Sequence, residues 1–226
     1  MSKGDEVPAR VSADIHSVTG IRFLTESTFV LRFERGEMNF RAGQRLVVGL
    51  EGDLDQREYS IYSGENDGYL EILVREVRNG NVSSKLKNCE PGRQLKVNGP
   101  FGSFGIESFH RNSGNLVFIA TGTGISPFHS IVRSYPGISY TLIHGVRFRS
   151  EAYESFEYDS ERYILCTSKE VTAGRKGRVT GYMQKFRATQ DMLFYLCGNG
   201  SMIYEVYHIL RDKGVRDENI ITEIYF

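Results

Sequence analysis

The sequence lacks an excess of either charge. Lys plus Arg and Asp plus Glu number 28 each, and no basic run stands out among the 226 residues. A nucleic-acid-binding protein usually carries such an excess or such a run, so we expect no nucleic-acid partner. Any charged partner must instead be recognised by a local patch of the surface.

Long apolar runs are missing too, and cysteine is scarce. No stretch approaches the roughly 18 residues of a membrane span, and Met1 to Glu6 lacks the apolar core of a secretory signal. The three cysteines, Cys89, Cys166 and Cys197, are an odd and scattered set. Such a set favours a reducing cytoplasm over a disulfide framework and cannot supply the four thiolates of a plant-type iron–sulfur cluster. We therefore expect a cytoplasmic protein without membrane insertion and without a metal site.

The first half of the chain has the pattern of an all-β domain. Hydrophobic residues make up 40% and charged residues 25% of the chain, as in ordinary soluble proteins. Short strands separated by glycine turns indicate a small antiparallel barrel of six strands. The predicted strands are Val11 to Val18, Phe23 to Phe33, Gln44 to Leu50, Glu58 to Ser63, Tyr69 to Val77 and Gln94 to Asn98, with one helix at Val82 to Cys89.

The second half of the chain has a different pattern of apolar residues and predicted elements. Asn115 to Ala120 is a near-continuous apolar run, typical of a strand buried on both faces. Alternation of strands and helices then predicts a doubly wound parallel sheet. The further predicted elements are a helix to Arg133, strands Ser139 to His144 and Arg162 to Thr167, a helix Thr180 to Arg187, a strand Met192 to Cys197, a helix Ser201 to Lys213 and a strand Asn219 to Tyr225. We place the domain boundary between residues 108 and 109, which gives a barrel domain over 1–108 and an α/β domain over 109–226.

The stretch Arg57-Glu58-Tyr59-Ser60 is the first candidate for binding chemistry. On a strand, Arg57 and Tyr59 face one side, while Glu58 and Ser60 face the other. A planar cation beside an aromatic ring and a hydroxyl suits a flat ring system linked to a phosphate. An ordinary half-exposed barrel strand, however, would have the same composition.

Two serines, Ser83 and Ser84, stand at the start of the predicted helix in the first half. Serine there can cap the free N–H groups of the first turn. The same N–H groups can instead bind a phosphate. The local sequence leaves both interpretations open.

Two glycine loops follow strands of the predicted parallel sheet. Thr121-Gly122-Thr123-Gly124-Ile125-Ser126-Pro127 lies between a buried strand and a helix, and Cys197-Gly198-Asn199-Gly200 follows a later strand. Glycines let the backbone approach a ligand, and ligands of such sheets bind beyond the carboxyl ends of the strands. The first loop departs from the common dinucleotide fingerprint, because Pro127 replaces its third glycine; a proline there also simply starts a helix.

Basic residues follow the second and third strands of the same sheet. They are Arg147, Lys169, Lys176 and Arg178, with the hydroxyl of Ser168 beside them. Such a set suits a phosphate monoester, for example the 2′-phosphate that distinguishes NADP from NAD. A solvated surface would also carry such residues.

Together, these motifs resemble those of the ferredoxin–NADP(H) reductase family, and particularly its compact bacterial members, over nearly the whole chain. The motifs that carry the resemblance are Arg57-x-Tyr59-Ser60, Gly80-x-x-Ser83-Ser84 with Leu86, Gly99-Pro100-Phe101-Gly102, Gly122-Thr123-Gly124-x-x-Pro127, Cys197-Gly198-Asn199 and Glu223-Ile224-Tyr225-Phe226. The resemblance implies that the barrel binds FAD and that the α/β domain binds NADP(H).

The resemblance also implies roles for individual residues. The FAD site would comprise Arg57, Glu58, Tyr59, Ser60, Val74, Arg75, Val82, Ser83, Ser84, Thr121, Tyr225 and Phe226. The NADP site would comprise Thr121, Gly122, Thr123, Gly124, Pro127, Arg147, Ser168, Lys169, Lys176, Arg178, Cys197, Gly198 and Asn199. The catalytic group would be Ser60, Cys197, Glu223 and Tyr225, with Tyr225 stacked on the flavin where nicotinamide must bind. Two departures matter: Lys169 replaces an arginine of the family, which softens NADP preference, and Gly200 replaces a frequent proline.

The activity implied by the resemblance is hydride transfer between NADP(H) and FAD, with single-electron transfer between FAD and ferredoxin or flavodoxin. We expect a monomer whose acceptor docks transiently, steered by Lys85, Lys87 and Arg93. A reductase of free flavin, of quinones or of another acceptor is an alternative. A nucleotide-binding subunit without turnover, such as a redox sensor, is a second alternative of another class.

Overall fold

The computed structural model describes residues 14–78, 80–108, 110–111, 115–170 and 177–225. The first half contains six strands and one helix: Asp14–Phe23 (β1), Thr28–Glu34 (β2), Arg45–Leu50 (β3), Arg57–Ser60 (β4), Tyr69–Arg75 (β5), Asn81–Lys87 (α1) and Gln94–Phe101 (β6). The second half contains five strands and three helices: Leu116–Thr121 (β7), Ser126–Ser134 (α2), Tyr140–Val146 (β8), Tyr163–Thr167 (β9), Val179–Lys185 (α3), Leu193–Asn199 (β10), Gly200–Asp212 (α4) and Ile220–Tyr225 (β11).

The first six strands form an antiparallel barrel in the order β4-β3-β6-β1-β2-β5. A bridge between Ile61, which follows β4, and Ile72 of β5 brings the two edges together. The N–H of Tyr62 reinforces this closure by donating to Glu71 O at 2.7 Å. Alternate residues of β2, such as Phe29 and Leu31, point into a fully buried core, as strand periodicity requires. The predicted six-stranded barrel is confirmed.

One predicted strand was wrong, because Phe23 to Phe33 is not continuous. A turn separates β1 from β2, and the N–H groups of Leu24 and Thr25 both donate to Thr28 O, at 2.9 and 3.0 Å. The chain reverses without glycine, proline or asparagine, the usual signals of a turn. The first strand also continues through Gly20, with an irregularity in register between Val18 and Gly20.

The remaining strands form a parallel sheet in the order β11-β10-β7-β8-β9. The side chains of β7 alternate between two cores: Phe118 contributes to one face and Ile119 to the other. Helix α2 covers the first face, while α3 and α4 cover the second. The predicted doubly wound sheet is confirmed. The strand order reverses between β7 and β10, so the carboxyl ends of these two strands form the crevice at which such sheets bind ligands.

The two halves share an apolar cluster instead of meeting only through polar contacts. Val30, Tyr62 and Leu73 of the barrel pack in the same buried cluster as Phe118 and Phe128 of the α/β half. The proposed boundary between residues 108 and 109 lies next to positions outside the described ranges and remains a proposal. No helix in the described part of the chain is long and apolar enough to span a membrane.

Candidate functional site

The larger of two adjoining cavities has a volume of about 1190 Å³. This exceeds the roughly 300–1,000 Å³ of typical small-molecule sites, so the cavity accommodates a ligand of dinucleotide size. Its walls come from β3, β4, β5, α1 and β11. The lining residues include Arg45, Arg57, Glu58, Tyr59, Ser60, Arg75, Gly80, Val82, Ser83, Gly102, Phe104, Thr123, Glu223, Ile224 and Tyr225.

All four residues of β4 line the larger cavity. Arg57 and Glu58 are exposed, while Ser60 is buried. Tyr59 is half-buried and packs against the barrel core. Burial raises the pKa of its phenol to about 12, partly offset by the charge of Arg57. The ring is therefore neutral at physiological pH and offers an apolar face next to a cation.

Helix α1 begins at the cavity without a side-chain cap, so the interpretation of its serines as caps was wrong. Its N-cap residue is Gly80, and no acidic residue lies in the first turn. The Oγ of Ser83 instead accepts from the N–H of Val77 at 3.0 Å. Val82 and Ser83 line the cavity, whereas Ser84 lies outside it, in a surface groove with Lys85.

The side chain of Val74 faces away from this cavity, in contrast to that of Arg75. Val74 is fully buried in the barrel core, so only its backbone can edge a ligand. Arg75 points the other way, as alternation along β5 requires, and it lines both cavities.

A chain of hydroxyl and carboxyl groups joins the barrel to β11. The O–H of Tyr225 donates to Ser60 Oγ at 2.5 Å, and Ser60 donates to Glu223 Oε1 at 2.8 Å. Cys197 is fully buried and is paired with Glu223 in the register of β10 and β11. The structure thus brings the four predicted catalytic residues together, although their separations along the sequence reach 165 positions.

Burial controls the protonation state of these side chains. It raises the pKa of the Cys197 thiol and of the Tyr225 phenol well above their ordinary values. Both groups consequently keep their protons at neutral pH. Burial also raises the pKa of Glu223, while the hydrogen bond from Ser60 lowers it.

The smaller cavity, of about 460 Å³, opens at the carboxyl ends of the parallel strands. Its lining includes Thr121, Gly122 and Thr123 of the first glycine loop and Gly198 and Asn199 of the second. Further lining residues are Arg75, Gly145, Val146, Arg147, Glu151, Cys166, Ser168, Arg178, Val179, Thr180, Ser201, Met202, Glu205 and Tyr225. The predicted position of the two loops, on one edge of the sheet, is therefore observed.

The two glycine loops interlock so closely that side chains are excluded. A Cβ on Gly124 would lie 2.4 Å from Cys197 O, and one on Gly198 would lie 2.4 Å from Thr121 Oγ1. The N–H of Asn199 donates to Thr121 Oγ1 at 3.0 Å. Gly124 and Pro127 are buried behind the lining residues, with Pro127 in the first turn of α2.

The buried side chain of His144 holds the first glycine loop in place. His144 Nε2 lies 2.9 Å from Gly122 O, and its Nδ1 lies 2.8 Å from the hydroxyl of Tyr163. Because a carbonyl only accepts, Nε2 carries the proton and Nδ1 accepts from Tyr163. Burial lowers the pKa of His144 to about 4, so the ring is neutral at physiological pH.

The predicted phosphate-binding residues are only partly brought together. Arg147, Ser168 and Arg178 line the smaller cavity. Lys169 is exposed and is not among the lining residues. It follows Ser168 in the bend after β9, where the chain no longer has the regular alternation of a strand. Lys176, like Phe226, lies outside the described residues.

Several lining residues carry no motif that sequence reasoning could use. Arg45 lies in an unremarkable strand, Glu151 lies close to other charged residues, and Glu205 is a single acidic residue within helix α4. Glu151 is fixed by its local fold, because its Oε2 accepts from the N–H groups of Arg147 and Phe148 at 2.8 and 3.2 Å. Alternation in β3 assigns Arg45 to one of two faces, but nothing in the sequence tells which face borders a cavity.

Two family models cover most of the chain. An oxidoreductase FAD-binding domain matches residues 17–106, and an oxidoreductase NAD-binding domain matches residues 118–208. The flavodoxin/ferredoxin–NADP reductase of Rhodobacter capsulatus is 32% identical over 174 residues, which cover 75% of this chain and 58% of the relative. The electron transfer component of toluate 1,2-dioxygenase from Pseudomonas putida is 27% identical, over 92% of this chain and 66% of the relative. The chain thus spans less than two thirds of these two relatives.

Other relatives match in length as well. The ferredoxin–NADP reductase of Azotobacter vinelandii is 27% identical over 90% of this chain and 91% of its own length. A crystal structure of the ferredoxin NADP⁺ reductase from Neisseria gonorrhoeae with bound FAD and NADP has a TM-score of 0.83 and 22% identity, and the match covers 95% of this chain and 99% of that one. The chain belongs to the ferredoxin–NADP reductase family of electron-transferring oxidoreductases, with an FAD-binding domain followed by an NAD-binding domain.

Proposed function

We propose that this chain is a flavoenzyme that moves electrons between NADP(H) and a one-electron carrier of the ferredoxin or flavodoxin class. The observation that carries the proposal is the position of Tyr225, which lines both cavities and donates to Ser60. When bound, FAD supplies the exchange between a two-electron hydride donor and a one-electron acceptor.

The larger cavity fits FAD in size and in donor chemistry. The Nε of Arg45 is buried there without a hydrogen-bond partner, and α1 presents an uncapped first turn. Arg57 would hold the pyrophosphate, together with Val82, Ser83 and the backbone of α1. Tyr59 would pack on the ring system beside Ser60, with Glu58, Val74 and Arg75 at its edges. Ser84 faces the outer groove, so its contribution would be limited to its backbone N–H.

The smaller cavity would bind NADP(H). The glycine loops at Gly122, Gly124 and Gly198 admit a ligand close to the backbone, with Thr121, Thr123 and Asn199 beside them. Arg147, Ser168 and Arg178 would bind the 2′-phosphate. Lys169 lies away from the lining residues, which weakens its proposed role and leaves the arginines as the main cations.

Tyr225 would act as a gate between the two cavities. Its ring stands between them, so it must move before a nicotinamide can lie against the flavin. Its hydroxyl is anchored on Ser60, and Ser60 in turn can hold or pass a proton to Glu223 Oε1. Cys197, a buried thiol at this point, would support the nicotinamide side. Phe226 would cover the adenine side.

The expected docking surface needs revision. Lys85 Nζ is paired with Asp53 at 2.7 Å, and Lys87 Nζ is paired with Glu76 at 2.6 Å. These two cations are largely neutralised by their own chain. Arg93, which lines the outer groove with Lys85, is the remaining candidate of the three for steering an acidic carrier protein to a monomeric reductase.

A second candidate is the reductase component of an oxygenase. It is favoured by the similarity to the electron transfer components of toluate and anthranilate 1,2-dioxygenases, which extends over 92% and 91% of this chain. The chemistry at the two cavities would be the same, and only the acceptor would differ.

Anaerobic titration of the purified protein tests the proposal. We expect a yellow protein whose bound flavin is bleached by NADPH more readily than by NADH. Ferredoxin or flavodoxin should then restore the yellow colour. A protein that stays colourless after addition of FAD would favour a nucleotide-binding subunit instead. Bleaching by NADPH without reoxidation by either carrier would favour the oxygenase component.

A further inference from the structure

Arg45 occupies a position that no motif singles out. In the antiparallel pair of β3 and β4 it stands directly opposite Ser60. Residues opposite each other in such a pair place their side chains on one face of the sheet. Glu58, two residues before Ser60, shares this face. Arg45, Glu58 and Ser60 all line the larger cavity.

The guanidinium of Arg45 makes a charge contact instead of an aligned hydrogen bond. Its Nε lies 3.0 Å from Glu58 Oε2, yet this buried N–H has no hydrogen-bond partner of suitable geometry. The field of the cation is therefore not confined to one acceptor. It also acts on a second carboxylate, which accepts a hydrogen bond from Ser60.

That carboxylate is Glu223, which reaches the same face from β11. Ser60 donates to its Oε1 at 2.8 Å. Burial, the largest influence, raises the pKa of Glu223, and the hydrogen bond from Ser60 and the charge of Arg45 lower it. The charge of Glu58 raises it. The side chains of β3 and β4 thus act on Glu223 in opposite directions.

The other titratable neighbours of Glu223 stay neutral. Cys197 of β10 and Tyr225 of β11 both have pKa values raised well above their ordinary values. Arg57 and Arg75 line the same cavity, but the charges that move the pKa of Glu223 are those of Arg45 and Glu58. Besides burial and the hydrogen bond from Ser60, its ionisation is therefore influenced by one cation and one anion, both on the wall formed by β3 and β4.

We propose that Arg45 is a positioning residue that acts through Glu223. Its guanidinium holds the Glu223 carboxyl in the ionised form beside Ser60, and Glu58 limits this effect by competing for the same guanidinium. The inference rests on the proposed function, in which Glu223 is part of the catalytic group. It adds to that group a charge pair that sets the proton occupancy of Glu223.

A carboxyl titration tests the inference directly. The FAD-loaded protein, labelled with ¹³C at glutamate side chains, is titrated by NMR, and Glu223→Gln identifies the signal. We expect Arg45→Gln to raise the pKa of Glu223 by about one unit, since an opposite charge at close range is worth one to three units. Glu58→Gln should lower it. Arg41→Gln, which removes an exposed arginine outside the cavity, should leave it unchanged.

Opposite shifts of the pKa of Glu223 in Arg45→Gln and in Glu58→Gln distinguish a charge effect from damage to the fold. A purely structural role would move the pKa of Glu223 in the same direction in both variants, and this result would overturn the inference. Arg45→Lys provides a second check, because it retains the charge but not the planar fork. The pKa of Glu223 in Arg45→Lys should therefore stay close to the wild-type value; a pKa equal to that of Arg45→Gln would contradict an electrostatic role.

Kinetics connect the titration to the reaction. The inflection in the pH profile of flavin reduction by NADPH should move in parallel with the pKa of Glu223. If NADPH does not reduce the bound flavin, the proposed function fails, while the carboxyl titration still decides the role of Arg45. If reduction occurs but the pKa of Glu223 is the same in the wild type and in Arg45→Gln, only the inference fails.

Discussion

The ring of Tyr62 lies flat on the imidazole of His129, with centroids 3.7 Å apart and planes 5° from parallel. Tyr62 follows Ser60 of the larger cavity by two residues, and His129 lies in the helix that follows the first glycine loop. His129 Nδ1 also donates to Tyr62 O at 2.7 Å, since a carbonyl only accepts. This contact links the strand of one cavity to the helix of the other.

Loss of the Tyr62 hydroxyl should destabilise the folded protein without removing the stacked rings. That hydroxyl donates to Glu154 Oε2 at 2.9 Å, and hydrogen bonds to charged groups contribute about 1.5–3 kcal/mol. We expect Tyr62→Phe to lower the free energy of unfolding by an amount in this range, measured by urea denaturation. Tyr207→Phe is the control, because its hydroxyl bonds to Asp217 at the exposed surface. Equal losses in the two variants would contradict the prediction.

Acid should destabilise the protein partly through His144. Its pKa is lowered from 6.5 to about 4 in the folded state, so the unfolded chain binds more protons between these values. The stabilisation is complete above pH 6.5 and is lost as the pH falls toward 4, with about 2 kcal/mol lost between pH 7 and pH 5.

The pH dependence of unfolding in two variants isolates this contribution. His144→Gln should fall less in stability between pH 7 and pH 5 than the wild type, whatever its stability at pH 7. The same replacement at exposed His208 should leave the dependence as it is. A His144→Gln profile parallel to that of the wild type would exclude His144 as a source of acid sensitivity.

Replacement of two different glycines by alanine should change the free energy of unfolding in opposite directions. At Gly198, φ is +126° and a Cβ would approach Thr121 Oγ1 to 2.4 Å and Thr121 O to 2.8 Å. Gly198→Ala should therefore cost about 2 kcal/mol or more in unfolding free energy and should weaken NADPH binding. At Gly181, inside α3, a Cβ would meet nothing within 4 Å, and Gly181→Ala should add about 0.5–1 kcal/mol. Thermal denaturation and NADPH titration check both; tolerance of alanine at Gly198 would argue against interlocked loops.

Removal of the Tyr225 ring tests the gate. Tyr225→Ser should strengthen NADP⁺ binding, because no ring has to be displaced, and should lower kcat by slowing release. Difference spectroscopy and steady-state kinetics measure the two effects separately. Tyr204→Ser, at an exposed tyrosine of α4, is the matched control. Unchanged NADP⁺ affinity in Tyr225→Ser would count against a gate.

Local patterns were sufficient for most of the architecture. The apolar run of β7 and the glycine loops are encoded within a few neighbouring residues, and the sequence therefore predicts a buried parallel strand and its ligand edge. The turn at Thr25 was missed, because its stability comes from backbone hydrogen bonds to Thr28 and not from residues with special backbone preferences.

Pairings between distant residues were beyond the reach of the sequence. Lys85 and Asp53 are 32 positions apart, so nothing in the sequence shows that the lysine is neutralised. Arg45 meets Glu58 only because β3 and β4 pair in one particular register. Lys169 and Ser168 look equivalent in the sequence, but only the serine lines the cavity.

The apolar cluster that contains Tyr62, Leu73 and Phe128 belongs to neither half alone. A cut between the halves would expose part of this cluster to water on both fragments, and each would lose the burial that stabilises it. Heating should consequently melt the whole molecule in a single step. Exchange of either half for that of a relative should therefore also require redesign of the apolar surface that the two halves share.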